Sequence, residues 1–407
     1  MDEMPDNTLT LSVFIDALGW ELLSGRGFLD DVLTTRRPLQ TVFGYSCTCC
    51  PTILSGKMPR EHGHLSFYFY DPQNSPFAFC KWLKILPSSL MNRGRVRRVL
   101  SRAVARARGY DGYFQLYNVP FEYLQFFDYL EKKDIYQPDG LRNGTPTIFD
   151  RLRSRRIPFH LSNWRHSEEQ NLAALEKAID EGEIRFAYLY MAALDAMLHA
   201  RGTRDAAIAD KIGWYEKALR RIIERARRRY DVHLFLFSDH GMTDIVDTCD
   251  LVSRIEGLGL RFGHDYAAMY DSTMARFWFL RPAARDAILE VLRAEPRGRI
   301  LTQDELAAYE VDFPNAQFGE LFFLLEPGVL LCPSYMGAQP MAGMHGYAPE
   351  HPQAWATFAS NVELPAPPRR LDDLHDVMLG DVEQPVIQPK ESNRMSTPSA
   401  AFTGGPH

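Results

Sequence analysis

VHLFLFSDHG, residues 232–241, is a nearly unbroken apolar run that ends in an acid and an imidazole. A short segment of this kind, rich in β-branched and aromatic residues, reads as a strand buried on both faces, the pattern of a parallel sheet. LTLSVFIDA (9–17) and FAYLYMAALD (186–195) repeat it, stopping at Asp16 and Asp195. IPFHLSN (157–163) is a further strand candidate, preceded by the helical TIFDRLRSRR (147–156). From 205 to 230 apolar residues recur every three or four positions, which marks a long helix. Strands alternating with helices predict an α/β fold with a mostly parallel central sheet and helices on both faces. Ligands of such sheets sit beyond the carboxyl ends of the strands. Asp16, Asp195, Asp239 and His240 therefore stand where chemistry is expected.

The chain has 407 residues, 45% hydrophobic and 24% charged, with a formal net charge of −6. That is an ordinary globular profile and offers nothing for a nucleic acid duplex. NRGRVRRVLSRAVARAR (92–108) is a local exception, with seven arginines and no acid. It reads as a solvated helix face, with a site for anionic substrates or headgroups as the sharper alternative. The apolar run near the N-terminus is broken by Asp16, so neither a signal peptide nor a membrane anchor is expected. No later stretch reaches the roughly 18–20 apolar residues of a membrane span. Cys47, Cys49, Cys50, Cys80, Cys249 and Cys332 form no paired CxxC motifs and are expected as reduced thiols of a cytoplasmic protein. Residues 76–145 are aromatic-rich and interrupt the alternation. They are expected as a cap inserted into a single catalytic domain spanning 1–381. Residues 382–407, rich in Pro, Ser, Thr and Gly, read as a disordered tail.

Asp195 and His199, four apart in LDAMLHARG (194–202), share one face of a helical turn. His345 lies in GMHGY (343–347), between glycines that permit close backbone approach. With Asp16, Asp239 and His240 this makes three aspartates and three histidines, a donor set suited to zinc, with manganese as second choice. Six ligands make two sites of three, each with open positions. Two divalent cations against three aspartates leave a single positive charge, which a Ser or Thr alkoxide would cancel.

The order Asp16, hydroxyl-rich loop, Asp195/His199, Asp239/His240, His345 resembles the alkaline phosphatase superfamily, and within it the type I phosphodiesterase/nucleotide pyrophosphatase family. SGKMPREHG (55–63) and YDP (70–72) match that family's motifs and their spacing. The resemblance covers roughly 9–72, 186–243 and the neighbourhood of 345. It implies an alkaline phosphatase-like fold and a metal-dependent hydrolase of small phosphate esters. The family's nucleophile lies ten residues before the Gly of its TG or SG pair; counting back from Gly56 reaches Ser46, with Thr48 or Cys47 as alternatives. Ser46 would attack phosphorus in line and form a phosphoryl-serine intermediate. Asp16, Asp239 and His240 would hold one metal, and Asp195, His199 and His345 the other. The helix facing the phosphate would begin in CPTILSG (50–56). Two departures stand out: Ser46 replaces the usual Thr, and Phe67 occupies the position of the family's phosphate-binding Asn. A phosphodiester or pyrophosphate substrate is favoured. The alternatives are hydrolysis of a monoester, phosphonate or sulfate ester, or an inactive metal- or ligand-binding relative.

Overall fold

The six strands of the central sheet are β1 (Thr8–Ile15), β2 (Thr35–Leu39), β3 (Phe159–Leu161), β4 (Phe186–Met191), β5 (Asp231–Phe237) and β6 (Ala356–Ser360). These come from a computed structural model, which describes residues 7–85 and 94–383. Their order is β2-β6-β5-β1-β4-β3. β1 runs parallel to both neighbours, with Val13 between Leu189 of β4 and Leu236 of β5. β3 continues the parallel set, and β6 alone runs the other way, between β5 and β2. The mostly parallel sheet expected from the apolar runs is therefore present, with one reversed strand near an edge.

Side chains of a strand alternate between faces, and β1 feeds two cores in this way. Leu9, Leu11, Val13 and Ile15 pack against helices α3 (Glu168–Glu181) and α5 (Ala206–Ala226) through Leu172, Leu175, Ile212 and Leu219. Phe14 points to the other face, where α1 (Ser46–Ser55), α2 (Ile148–Ser154) and α6 (Asp373–Glu383) bring Ile53, Leu54, Phe149 and Met378. Helix α6 includes residues 382 and 383, which the sequence placed in the tail, because Val382 is buried in this second core. Residues 384–407 lie outside the described set.

Segment 76–145 does not lie alone over a sheet edge. Phe77, Leu116, Val119 and Leu124 share a core with a small antiparallel sheet formed by Tyr266–Tyr270, Met274–Phe279, Leu321–Leu325 and Gly298–Ile300. Tyr68–Tyr70, just before the segment, pairs antiparallel with Phe127–Tyr129 inside it. The arginine run forms the helix Gly94–Arg108. Arg97 turns inward, donating to the Val119 carbonyl at 2.7 Å with its guanidinium 3.9 Å over the Phe121 ring. Arg95, Arg98, Arg102, Arg106 and Arg108 stay exposed, as a solvated face should. Arg93 lies outside the described residues.

Under the small sheet, Arg276 is 0% exposed and acts as a knot. It pairs with Asp271 at 2.8 Å and donates to Ser66 Oγ at 2.8 Å and to the Phe318 carbonyl at 2.9 Å. Removing one partner of a buried pair strands the other charge. Arg276→Met is expected to cost about 3–5 kcal/mol, read from denaturant unfolding. Adding Asp271→Asn to it should restore part of that loss. A double variant no more stable than the single one would show that the pair's charges are not coupled.

Candidate active site

The parallel register delivers three strand ends to one rim. Asp16 follows β1 directly, and Asp239 and His240 follow β5 by two and three residues. After β4 the chain enters α4 (Ala193–Arg201), which carries Asp195 and His199 one turn apart. His345 arrives from far along the chain, next to the short pairing of Gly343–Met344 with Thr243–Asp244. Its glycines act as anticipated. A Cβ on Gly343 would come within 2.7 Å of the Leu198 carbonyl of α4, and one on Gly346, at φ +89°, within 2.5 Å of the Tyr45 ring.

All six residues converge. His199 Nε2 lies 3.2 Å from Asp195 Oδ1, and His345 Nε2 lies 3.8 Å from the same oxygen. His240 Nε2 is 3.1 Å from Asp239 Oδ2 and 3.7 Å from Asp16 Oδ1. The His240 and His345 rings stack at 3.6 Å. Donor atoms of Asp195, His199 and His345 fall within metal-sharing distance of one another, and so do those of Asp16, Asp195 and His240. Asp195 thus lies between the two groups, while Asp239 approaches from beside His240. Two imidazoles are oriented by backbone: Nδ1–H of His199 donates to the Gly343 carbonyl and that of His240 to the Gly241 carbonyl, both at 2.9 Å. Each Nε2 is left as a lone pair facing the carboxylates, the arrangement of a metal-ligating histidine.

The electrostatics call for cations. Asp16 Oδ1, Asp195 Oδ1, Asp239 Oδ2 and His345 Nδ1 are buried without hydrogen-bond partners. Burial, then the charges of Asp239 and Asp195, hold the Asp16 carboxyl well above its usual range. Burial would also raise Asp239, but His240 outweighs it and draws it down. Burial pulls His240 down, and the charge of Asp239 carries it back above the ordinary imidazole value. His345 is held low, chiefly by burial and then by His240 and His199, so it stays neutral and able to donate a lone pair. Two buried carboxylates and the half-buried Asp195, beside three imidazoles, form a donor set that fits divalent cations.

Ser46 is the first residue of α1 and its Oγ lies 3.0 Å from His240 Nε2. The helix begins four residues before the CPTILSG expected from the sequence. Its first turn closes through Thr48 N–H and Cys49 N–H on the Tyr45 carbonyl at 2.7 and 3.0 Å, so Pro51 falls inside it. Thr48 is fully buried and donates to the Leu65 carbonyl at 2.6 Å, turned away from the cluster. The Cys47 thiol is buried and pushed well up by that burial. Of the three nucleophile candidates, Ser46 alone contacts a residue of the Asp/His cluster.

His62 and His64 serve the scaffold. His62 Nδ1 accepts from the His64 amide at 3.1 Å, so its Nε2–H donates to Thr52 of α1 at 2.9 Å. His64 Nε2 accepts from the Arg142 amide at 3.2 Å. Burial holds His62 well down and His64 down to about 3.

The site opens into a cavity of about 500 Å³. Ser46, Asp16, Asp195, His199 and His345 line its floor, and Phe67 its wall, against Tyr129 and Tyr117 at ring distances of 5.7 Å each. Tyr113, Glu131 and Tyr136 line it from segment 76–145, and Trp164 and Tyr190 from near β3 and β4. The sequence places Tyr113, Glu131 and Tyr136 in the aromatic-rich cap segment and gives no signal for Trp164. They stand in irregular segments, where no periodicity signals a facing direction.

An α/β sheet whose strand ends gather an Asp/His cluster beside a hydroxyl at a helix N-terminus defines a metal-dependent hydrolase. The family model of type I phosphodiesterases/nucleotide pyrophosphatases matches residues 10–348, and the chain belongs to that family. It is accordingly a metal-dependent phosphoric ester hydrolase acting on phosphodiesters. Among solved structures it is similar to murine ectonucleotide pyrophosphatase/phosphodiesterase 5, at 16% identity and TM-score 0.66, over 94% of this chain and 96% of that one. The human protein of that name aligns at 14% and TM-score 0.65, over 92% and 95%. An inactive Thr-to-Ala variant of the murine protein, in complex with AMP, aligns at 16% and TM-score 0.63, over 92% and 95%. At such identities the likeness establishes a shared fold. Comparison with curated proteins finds no match. No helix among the described residues is long and apolar enough to cross a membrane.

Two outcomes follow from the charges. Under chelation, Asp16→Asn should stabilise the protein by about 1–3 kcal/mol, because it removes one of several repelling buried carboxylates. With zinc or manganese present, it should shrink the rise in melting temperature that the unaltered protein shows. Identical melting with and without cation would rule out a metal at the cluster. Separately, His62 and His64 are neutral when folded and protonate once unfolded. Their contribution is intact above about pH 6.5 and declines as pH falls toward 3, by roughly 1.4 kcal/mol per pH unit for each. A flat stability profile between pH 6.5 and 4 would contradict this.

Proposed function

We propose that the protein cleaves phosphodiester or pyrophosphate bonds through a phosphoryl-serine intermediate on Ser46, assisted by two divalent cations, zinc in preference to manganese. The observation that carries this is the placement of Ser46 Oγ, at the head of α1 and 3.0 Å from His240 Nε2, inside the cavity. Asp16, Asp239 and His240 would hold one cation and Asp195, His199 and His345 the other. Cations there supply positive charge beside the hydroxyl and the phosphate and lower the cost of ionising the serine.

The remaining work falls to the chain. α1 aims its N-terminus into the cavity, and the Ser46 and Cys47 amides precede the first bonded turn, so they are free to hold equatorial phosphate oxygens. Ser46 Oγ attacks phosphorus in line, the ester oxygen opposite departs with its electron pair, and water then cleaves the phosphoryl-serine bond. Among the described residues lining the cavity there is no Lys or Arg. The single charge of a diester is better matched to that lining than the double charge of a monoester, which supports the diester reading. The murine relative of the same fold forms a complex with AMP, which supports a phosphate-bearing ligand here. Phe67 offers a ring where the family pattern has an amide, leaving the helix amides and the cations to bind the phosphate.

Ser46→Ala is expected to lower kcat on bis(p-nitrophenyl) phosphate by about a thousandfold or more while cation content, measured by atomic emission, stays at the unaltered level. Near-normal turnover in that variant would remove Ser46 from the mechanism. Inactivity of the unaltered protein with every divalent cation tried would favour the inactive-relative reading instead.

A further inference from the structure

Between residues 78 and 108 the sequence holds nine lysines and arginines and no acid, in a chain whose net charge is −6. The fold brings two pieces of this stretch side by side. The helical turns Ala78–Ile85 and the helix Gly94–Arg108 send Cys80 and Val104 into one core, and Arg108 of the helix donates to the Pro76 carbonyl at 2.8 Å. On the helix, Arg97, Ser101 and Val104 are buried, at spacings of four and three. Arg95, Arg98, Arg102 and Arg106 occupy the opposite face and are exposed, and none of them has a carboxylate partner among the described residues.

A solvated face accounts for the arginines but not for their neighbours. Val99 stands among them at 66% exposure, and beside the helix Trp82 is 66% and Phe79 41% exposed. Lys81 holds its ammonium 5.5 Å from the Trp82 ring centroid. Three large apolar side chains thus enter water on the most basic part of the surface. A nucleic acid would use the arginines and could stack on the rings, but an aliphatic Val99 gains nothing from phosphates. An anionic bilayer matches every element: arginines at the headgroups, Trp82 at the interface, Val99 and Phe79 at the acyl boundary. We propose that this face docks the protein peripherally onto an anionic lipid surface. The inference is independent of which ester the active site cleaves.

Sedimentation of the full chain with vesicles tests it. Vesicles of phosphatidylcholine with about one third phosphatidylserine should carry the protein down at about 0.1 M salt, vesicles of phosphatidylcholine alone should not, and about 0.5 M salt should weaken the binding. Arg98→Gln, Arg102→Gln and Arg106→Gln together should lower the partition about a hundredfold. Trp82→Ser should lower it about tenfold and abolish a blue shift of tryptophan emission that the unaltered protein shows with anionic vesicles. These side chains are exposed, so both variants should melt at the unaltered temperature. Failure to bind anionic vesicles, equal binding to neutral ones, or unchanged partition in either variant would overturn the proposal. Tighter binding to single-stranded RNA than to anionic vesicles at the same salt would also overturn it and assign the face to nucleic acid.

Discussion

Three carboxylates, Asp16 and Asp239 buried and Asp195 half-buried, meet at one rim because parallel pairing leaves the strands no alternative. Ile15 lies opposite Met191 and Phe14 opposite Phe237, so the residues after each strand arrive at nearly the same height. Asp16, Asp195 and Asp239 are thereby held together in a poorly hydrated place where like charges repel strongly. The chain offers them three imidazoles and, among the described residues lining the cavity, no lysine or arginine. Cation binding is the way such a cluster becomes stable, so folding and metal loading are linked at this edge. The glycines around His345, the early start of α1 and the His62–Thr52 bond all serve to keep that geometry in place.

The second core sets what the site can accept. Segment 76–145 and the small antiparallel sheet are built as one apolar unit, and their joint lining gives the cavity its rings. Arg276 and Asp271 neutralise each other beneath that wall, and the arginines of Gly94–Arg108 face solvent or, at Arg97 and Arg108, bond the Val119 and Pro76 carbonyls. The result is an anion-cleaving site whose fixed side chains are acidic and aromatic. Among the described residues its lining carries no Lys or Arg.

The apolar runs at 9–17, 186–195 and 232–241 were enough to read the parallel middle of the central sheet and the acids at its strand ends, because strands covered on both faces leave a clear pattern and a parallel sheet collects its chemistry at one end, whereas β2 and β6 went unread. Reading His345 into the cluster took the glycines on either side of it and the family resemblance, since nothing periodic links it to the strands. The start of α1 was misplaced because Pro51 looks like a first-turn residue, whereas closure of the preceding turn on the Tyr45 carbonyl extends the helix back to Ser46.

The choice among Ser46, Cys47 and Thr48 belonged to the folded chain. Three adjacent residues on a helical turn point in different directions, and only packing shows that Thr48 is spent on Leu65 while Ser46 faces His240. Local pattern was sufficient for the sheet and its ligand types, because backbone periodicity is a short-range effect. Orientation, pairing and the shape of the cavity arose from tertiary contacts, such as Thr48 with Leu65 and Ser46 with His240, which no local pattern encodes.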